Sequence, residues 1–131
     1  HMITSRNILV VVTSIMLMSV MACAGQSKKI APAEAKKLID AGKVTVLDVR
    51  TPGEWSTGYV PTATLANWND TQFETIVKKL DRKKPIVVYC AVGGRSAKAS
   101  TRLAELGFIN VLDMSGGITA WKNANLPVVQ P

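Results

Sequence analysis

Cys90 stands where a thiol can be made reactive. The stretch Val87-Val88-Tyr89-Cys90-Ala91-Val92-Gly93-Gly94-Arg95-Ser96 runs from apolar, β-branched residues into a glycine pair, an arginine and a serine. The apolar part reads as a buried strand and Ser96 as the start of a helix, which puts Cys90 at a strand–helix junction. A tight loop there turns backbone N–H groups inward and forms an anion nest, reinforced by the positive end of the helix. Gly93 and Gly94 allow the backbone turns this requires. Arg95 adds fixed charge and a fork of donors. A thiol in that field shifts toward its thiolate, the nucleophilic form, and the same donors would hold a persulfide anion. Taken alone, Cys90 could equally be an inert buried cysteine. The glycine pair and Arg95 favour chemistry.

Other cysteine chemistries lack their parts. His1 is the only histidine, so no imidazole is at hand for a Cys–His hydrolase. The second cysteine, Cys23, is far away in sequence, so there is no C-x-x-C dithiol site, and no ligand cluster suggests a metal.

The elements that must position the loop are legible in outline. Pro32–Ala41 reads as a helix with Ala35, Leu38 and Ile39 apolar at helical spacing and Gly42 as its stop. Val44–Val49 and Ile86–Tyr89 read as strands buried on both faces, and Asn110–Met114 as another strand. Thr64–Ala66 suggests a short strand and Glu54–Thr57 a short helix after the Pro52-Gly53 turn. Thr71–Leu80 reads as a helix capped by Thr71 or Asp70, with Phe73, Ile76, Val77 and Leu80 on one face. Ser96–Leu106 follows with Ala99, Leu103 and Leu106 inward and Gly107 as C-cap. Gly116–Ala124 closes the chain as a short helix carrying Trp121. Alternating strands and helices imply one α/β domain built on a parallel sheet.

The N-terminal end has another character. His1 before Met2 reads as a cloning scar, and residues 2–25 as an export or anchoring segment. Arg6 gives a positive start, Ile8–Met18 an apolar stretch, and Ala22-Cys23-Ala24-Gly25 a small-residue end. Ala22-Cys23-Ala24 fits signal cleavage. Val20-Met21-Ala22-Cys23 is similar to a bacterial lipobox, with Cys23 as the lipidation site. An uncleaved anchor is the third option, although the apolar run is short for a span of ~20 residues. Residues 26–30 read as a polar linker and 31–131 as the domain, expected on the periplasmic side of a bacterial membrane. The 131-residue chain carries a formal net charge of +7, with its lysines and arginines spread over several segments. That pattern reads as a solvated basic surface, with no nucleic-acid signature and a monomer as the default.

The loop Cys90–Ser96 resembles the active-site loop of single-domain rhodaneses, C-x-x-G-x-R-S. Asp48-Val49-Arg50-Thr51-Pro52-Gly53-Glu54-Trp55 is similar to that family's D-V-R-x-x-x-E-[FYW] segment, and Gly58–Ala63 to its G-H-I-P-G-A stretch. Leu106-Gly107-Phe108, Val111, Gly116-Gly117-Ile118 and Trp121 match its closing pattern. Tyr59 stands for the usual histidine and Thr62 for the usual glycine, both in a turn where local adjustment is expected. The resemblance covers about 100 residues. It implies a rhodanese-like fold, a parallel sheet flanked by helices on both faces, and no metal or organic cofactor. It further implies sulfane-sulfur transfer through a Cys90 persulfide, from thiosulfate or a similar small anionic donor to cyanide or a thiol. Ala91, Val92, Gly93, Gly94, Arg95 and Ser96 would bind the substrate and the persulfide, with Arg95 attracting the anion. Asp48, Arg50 and Glu54 would form a buried ion-pair network bracing the site, and Gly116, Gly117 and Trp121 would pack the last helix. A noncatalytic sulfur-carrier or sensor module would use the same cradle. A phosphatase or arsenate reductase is a weaker rival, because tyrosine phosphatases place the arginine six residues after the cysteine and here it is five.

Overall fold

A computed structural model describes residues 26–131. The export reading of residues 2–25, with Cys23 as a lipidation site, lies outside the described residues. Among the described residues, no helix is long and apolar enough to cross a membrane. The elements run in the order β1 (Gln26–Ile30), α1 (Pro32–Asp40), β2 (Thr45–Asp48), α2 (Pro52–Trp55), β3 (Thr64–Leu65), α3 (Phe73–Val77), β4 (Ile86–Tyr89), α4 (Gly94–Glu105), β5 (Asn110–Met114) and α5 (Gly117–Asn123).

The strands form one five-stranded sheet in the order β1-β5-β4-β2-β3, with every neighbouring pair parallel. The β-branched run Ile86-Val87-Val88 is fully buried because β4 lies at the centre with helices on both sides. Side-chain alternation divides the core. Leu47, Val49, Ile86, Val88 and Val111 pack with Phe73, Val77, Ala99 and Leu103 of α3 and α4. Val46, Val87, Tyr89, Leu112 and Met114 pack on the other face with Ala35 of α1 and with Ile118 and Trp121 of α5. The expected α/β fold, a parallel sheet covered on both faces, is what forms.

Residues 26–30 are not a linker. They form β1, paired with β5 in the register Lys28↔Leu112, Lys29↔Asp113 and Ile30↔Met114. Their polarity belongs to a sheet edge, where lysines face solvent and discourage further pairing. Ile30 alone of the strand is buried among the residues whose exposure is described. Two helix boundaries also move. α4 starts at Gly94, earlier than expected, because Gly93 at φ +131° supplies the bend that admits the helix. α3 spans only Phe73–Val77, and the chain then tightens through i→i+3 bonds such as Leu80 N–H to Val77 O at 3.0 Å. The side chain serving its entry is Asp70, which accepts from Gln72 N–H at 2.8 Å, rather than Thr71.

The two departures in the turn are absorbed locally. Tyr59 exchanges backbone hydrogen bonds with Val129, both at 2.9 Å. Thr62 keeps a left-handed backbone, φ +69°, that suits glycine and strains a β-branched residue. Its side chain is exposed, so little packing offsets the strain. Relief of roughly 1–2 kcal/mol, less the roughly 0.5–1 kcal/mol of added chain entropy, predicts that Thr62→Gly stabilises the fold by about 0.5–1 kcal/mol. The check is a urea titration. A raised midpoint at constant slope is expected, and a lowered one would show that Thr62 makes compensating contacts.

Candidate active site

β4 delivers Cys90 at its C-terminal end, and the side chain is 1% exposed. The loop then wraps around the sulfur. Gly93 N–H donates to Sγ at 3.1 Å, and Ser96 Oγ lies 3.6 Å from it. Burial pushes the Cys90 thiol up. The Ser96 N–H and hydroxyl, followed by the N–H groups of Gly93 and Val92, outweigh it and leave the thiol below its ordinary value. The arrangement favours an anionic, nucleophilic sulfur held by hydrogen bonds rather than by a neighbouring base.

Inward N–H groups require outward carbonyls, and α5 receives them. Ile118 N–H donates to Cys90 O at 2.9 Å and Thr119 N–H to Ala91 O at 3.2 Å. Gly117 lies directly beneath the loop. A Cβ there would come within 2.4 Å of Cys90 O and 2.5 Å of Ala91 O, at a backbone φ of +59°. Gly116 and Gly117 therefore support the loop itself, beyond packing the last helix. Val92 stands exposed on the loop, and Gly94 is exposed in the first turn of α4.

The three expected support residues separate into two systems. Asp48 and Arg50 are buried together. Arg50 Nη2 donates to Asp48 Oδ2 at 2.8 Å and to Gly58 O at 2.7 Å, and its backbone N–H donates to Asp48 Oδ1 at 2.9 Å. Tyr89 completes this group: its hydroxyl donates to Asp48 Oδ2 at 2.6 Å and accepts from Val60 N–H at 2.9 Å. Burial first, then Asp48, raises the Tyr89 hydroxyl far above its usual range, so it stays protonated as a donor. Glu54 is not part of a buried network with Arg50, which reaches only the Glu54 carbonyl, at 3.3 Å. Its carboxylate grips Arg95 through both oxygens, at 2.6 and 2.9 Å. The reason is geometric: α2 turns the Glu54 side chain toward the start of α4, while Arg50 points back at the strand end. Arg95 is thus held by a carboxylate, whose charge opposes its own near the sulfur.

Sequence reasoning missed Asp113, Lys29 and Tyr89. Ser96 Oγ donates to Asp113 Oδ1 at 2.8 Å, and Lys29 Nζ donates to Asp113 Oδ2 at 2.6 Å. A lone acid inside the apolar strand Asn110-Val111-Leu112-Asp113-Met114 is the signal that could have drawn attention.

Two predictions follow from this geometry. The Arg95 fork, aided by Thr51 and opposed by partial burial, holds the Glu54 carboxyl down to about 2, below its ordinary 4.5. Its stabilising contribution is therefore complete above about pH 5 and is lost as pH falls toward about 2. Both partners are about a third exposed, so Glu54→Gln should cost no more than about 1 kcal/mol at pH 7. That gap should narrow between pH 4.5 and 2 in urea titrations; a constant gap would mean the clamp does not depend on ionised Glu54. Gly117→Ala should destabilise by at least about 2 kcal/mol and raise the midpoint of Cys90 alkylation against pH. An unchanged midpoint would separate the loop donors from α5.

Comparison with known proteins agrees with this geometry. The rhodanese-like domain family matches residues 31–124. A thiosulfate sulfurtransferase GlpE of Pseudoalteromonas translucida is 36% identical over 98 residues, covering 74% of this chain and 90% of that one. A sulfurtransferase of Allochromatium vinosum is 32% identical over 97 residues, covering 74% and 89%. The crystal structure of a rhodanese-related protein from Thermoplasma volcanium superposes with a TM-score of 0.71 at 35% identity, covering 79% of this chain and 99% of that one. With its fold, its cysteine loop and these relatives in agreement, the chain belongs to the rhodanese-like domain family and is a sulfurtransferase of that family.

Proposed function

We propose that this protein moves sulfane sulfur through a persulfide on Cys90. The observation that carries the reading is the set of donors around one buried sulfur: the N–H groups of Val92, Gly93 and Ser96 and the Ser96 hydroxyl. In the first step the Cys90 thiolate attacks the outer sulfur of a donor such as thiosulfate. A new S–S bond forms, the old one breaks, and sulfite leaves with its electron pair. The Cys90 persulfide then holds the charge among the same donors. In the second step an acceptor, cyanide or a thiolate, attacks the terminal sulfur and releases the Cys90 thiolate. Two half-reactions sharing one enzyme intermediate give ping-pong kinetics. A phosphatase reading fits less well, because the Arg95 fork is held by Glu54 instead of standing free for a phosphate.

The test is formation of thiocyanate from thiosulfate and cyanide, with Cys90→Ser in parallel. Parallel-line kinetics in the wild type and loss to buffer background in the variant are expected. No turnover in either, with a sulfur adduct of Cys90 seen by intact mass, would replace the enzyme with a sulfur carrier. No turnover and no adduct would sink the sulfur-transfer reading.

A further inference from the structure

Ser96 has one hydroxyl proton and three neighbours able to accept it. Asp113 Oδ1 lies at 2.8 Å, Gly93 O at 3.2 Å and Cys90 Sγ at 3.6 Å. Asp113 is the strongest acceptor and the nearest. It is 2% exposed, and nothing on its own strand neutralises it. Its charge is met from the sheet edge instead, where Lys29 of β1 pairs in register with Asp113 of β5 and donates to the other carboxylate oxygen at 2.6 Å. The Lys29 side chain is 64% exposed. A line of contacts therefore runs from the buried sulfur to solvent: Cys90, Ser96, Asp113, Lys29.

The line works differently in the two states of the sulfur. In the thiol, S–H donates to Ser96 Oγ and Ser96 donates to Asp113, so every polar group has a partner. When the thiol ionises, its proton leaves to solvent and Sγ becomes an acceptor. The Ser96 hydroxyl can serve the sulfur only by turning away from Asp113. The carboxylate and the thiolate then compete for a single proton. Lys29 weakens the carboxylate as an acceptor and keeps it partnered when Ser96 turns. We propose that Asp113 and Lys29 are positioning residues that bias the Cys90 thiolate in opposite directions through the one hydroxyl proton of Ser96.

The other charged and titratable groups around the sulfur are already committed. Arg95 of α4 is clamped by Glu54 of α2, and Asp48 at the end of β2 is occupied by Arg50 and by Tyr89 of β4. Among the described residues, the Asp113–Lys29 pair is the one whose carboxylate also holds a group touching the sulfur. The biological weight of this tuning rests on the sulfur-transfer reading, since a persulfide anion would compete for the same proton. The tuning itself concerns only the thiol.

The experiment is the pH dependence of Cys90 alkylation by iodoacetamide. It is followed on the Cys90 peptide by mass spectrometry, because the sequence holds a second cysteine, Cys23. Asp113→Asn should lower the midpoint by about half a pH unit, near a threefold faster reaction below the midpoint. Lys29→Met should raise it by a similar amount; because this variant leaves the buried Asp113 carboxylate without its ion partner, its far-UV spectrum is checked first, and the Asp113→Asn and Ser96→Ala variants test the proposal independently of it. Ser96→Ala should shrink the Asp113→Asn effect to less than half. Shifts of both variants in the same direction, shifts in neither, or an undiminished Asp113→Asn effect without the Ser96 hydroxyl would each overturn the proposal. Because no sulfur donor is used, a failure here is distinct from a failure of sulfur transfer.

Discussion

A sulfur surrounded by backbone N–H groups forces the carbonyls of the same loop to face the other way, and those carbonyls need donors of their own. In this protein α5 supplies them. Its first-turn N–H groups would be unpaired within the helix. They cap the carbonyls of Cys90 and Ala91 instead, so the orphan donors of one element satisfy the orphan acceptors of another. A side chain at Gly117 would drive the two apart, which gives that glycine a role in the nest although it never touches the sulfur. The donors that hold the Cys90 thiol below its ordinary value therefore sit on a loop that α5 supports from beneath.

The charged residues around the loop divide by burial. Asp48 and Arg50 lie fully inside, where an ion pair holds only if its remaining donors and acceptors are also met. Tyr89 O–H, Gly58 O and the Arg50 N–H meet them, so the C-terminal ends of β2 and β4 are tied together beside the cysteine. Glu54 and Arg95 are each about a third exposed, and a pair of that kind contributes little to stability. Its effect is positional: a two-pronged contact fixes the first turn of α4 against α2, and with it the N–H groups of that turn.

The parts of this arrangement that were legible in the sequence are the local ones. A cysteine, two glycines, an arginine and a serine in succession after a β-branched run state their own geometry, because the loop is built from neighbours. The buried strands announce themselves by continuous apolar character. What was not legible depends on partners far along the chain. Gln26–Ile30 has the polarity of a linker and becomes a strand only because β5 offers it an edge. Glu54 has one arginine four residues before it and another 41 residues after it, and spacing alone favours the wrong one. Asp113 and Lys29 are 84 residues apart, and nothing local joins them. Thr62 is different again. It stands in a turn where glycine is usual, but its left-handed backbone and the strain that goes with it emerge only from its dihedral angle.

The position of the sulfur follows from how the chain leaves the sheet. β4 and β5 are neighbours, yet α4 packs its Ala99 and Leu103 on one face while α5 packs Ile118 and Trp121 on the other. Loops that part toward opposite faces open a crevice at the C-terminal ends of adjacent parallel strands, the place where open α/β sheets put their sites. Cys90 is the first residue past the end of β4, and Gly116 and Gly117 stand just past the end of β5. Those glycines let the second loop close against the first. Cys90 is 1% exposed there, at the end of a central strand buried on both faces. What the site assembles is one sulfur and the N–H donors of Val92, Gly93 and Ser96 around it. Those donors converge on that single atom.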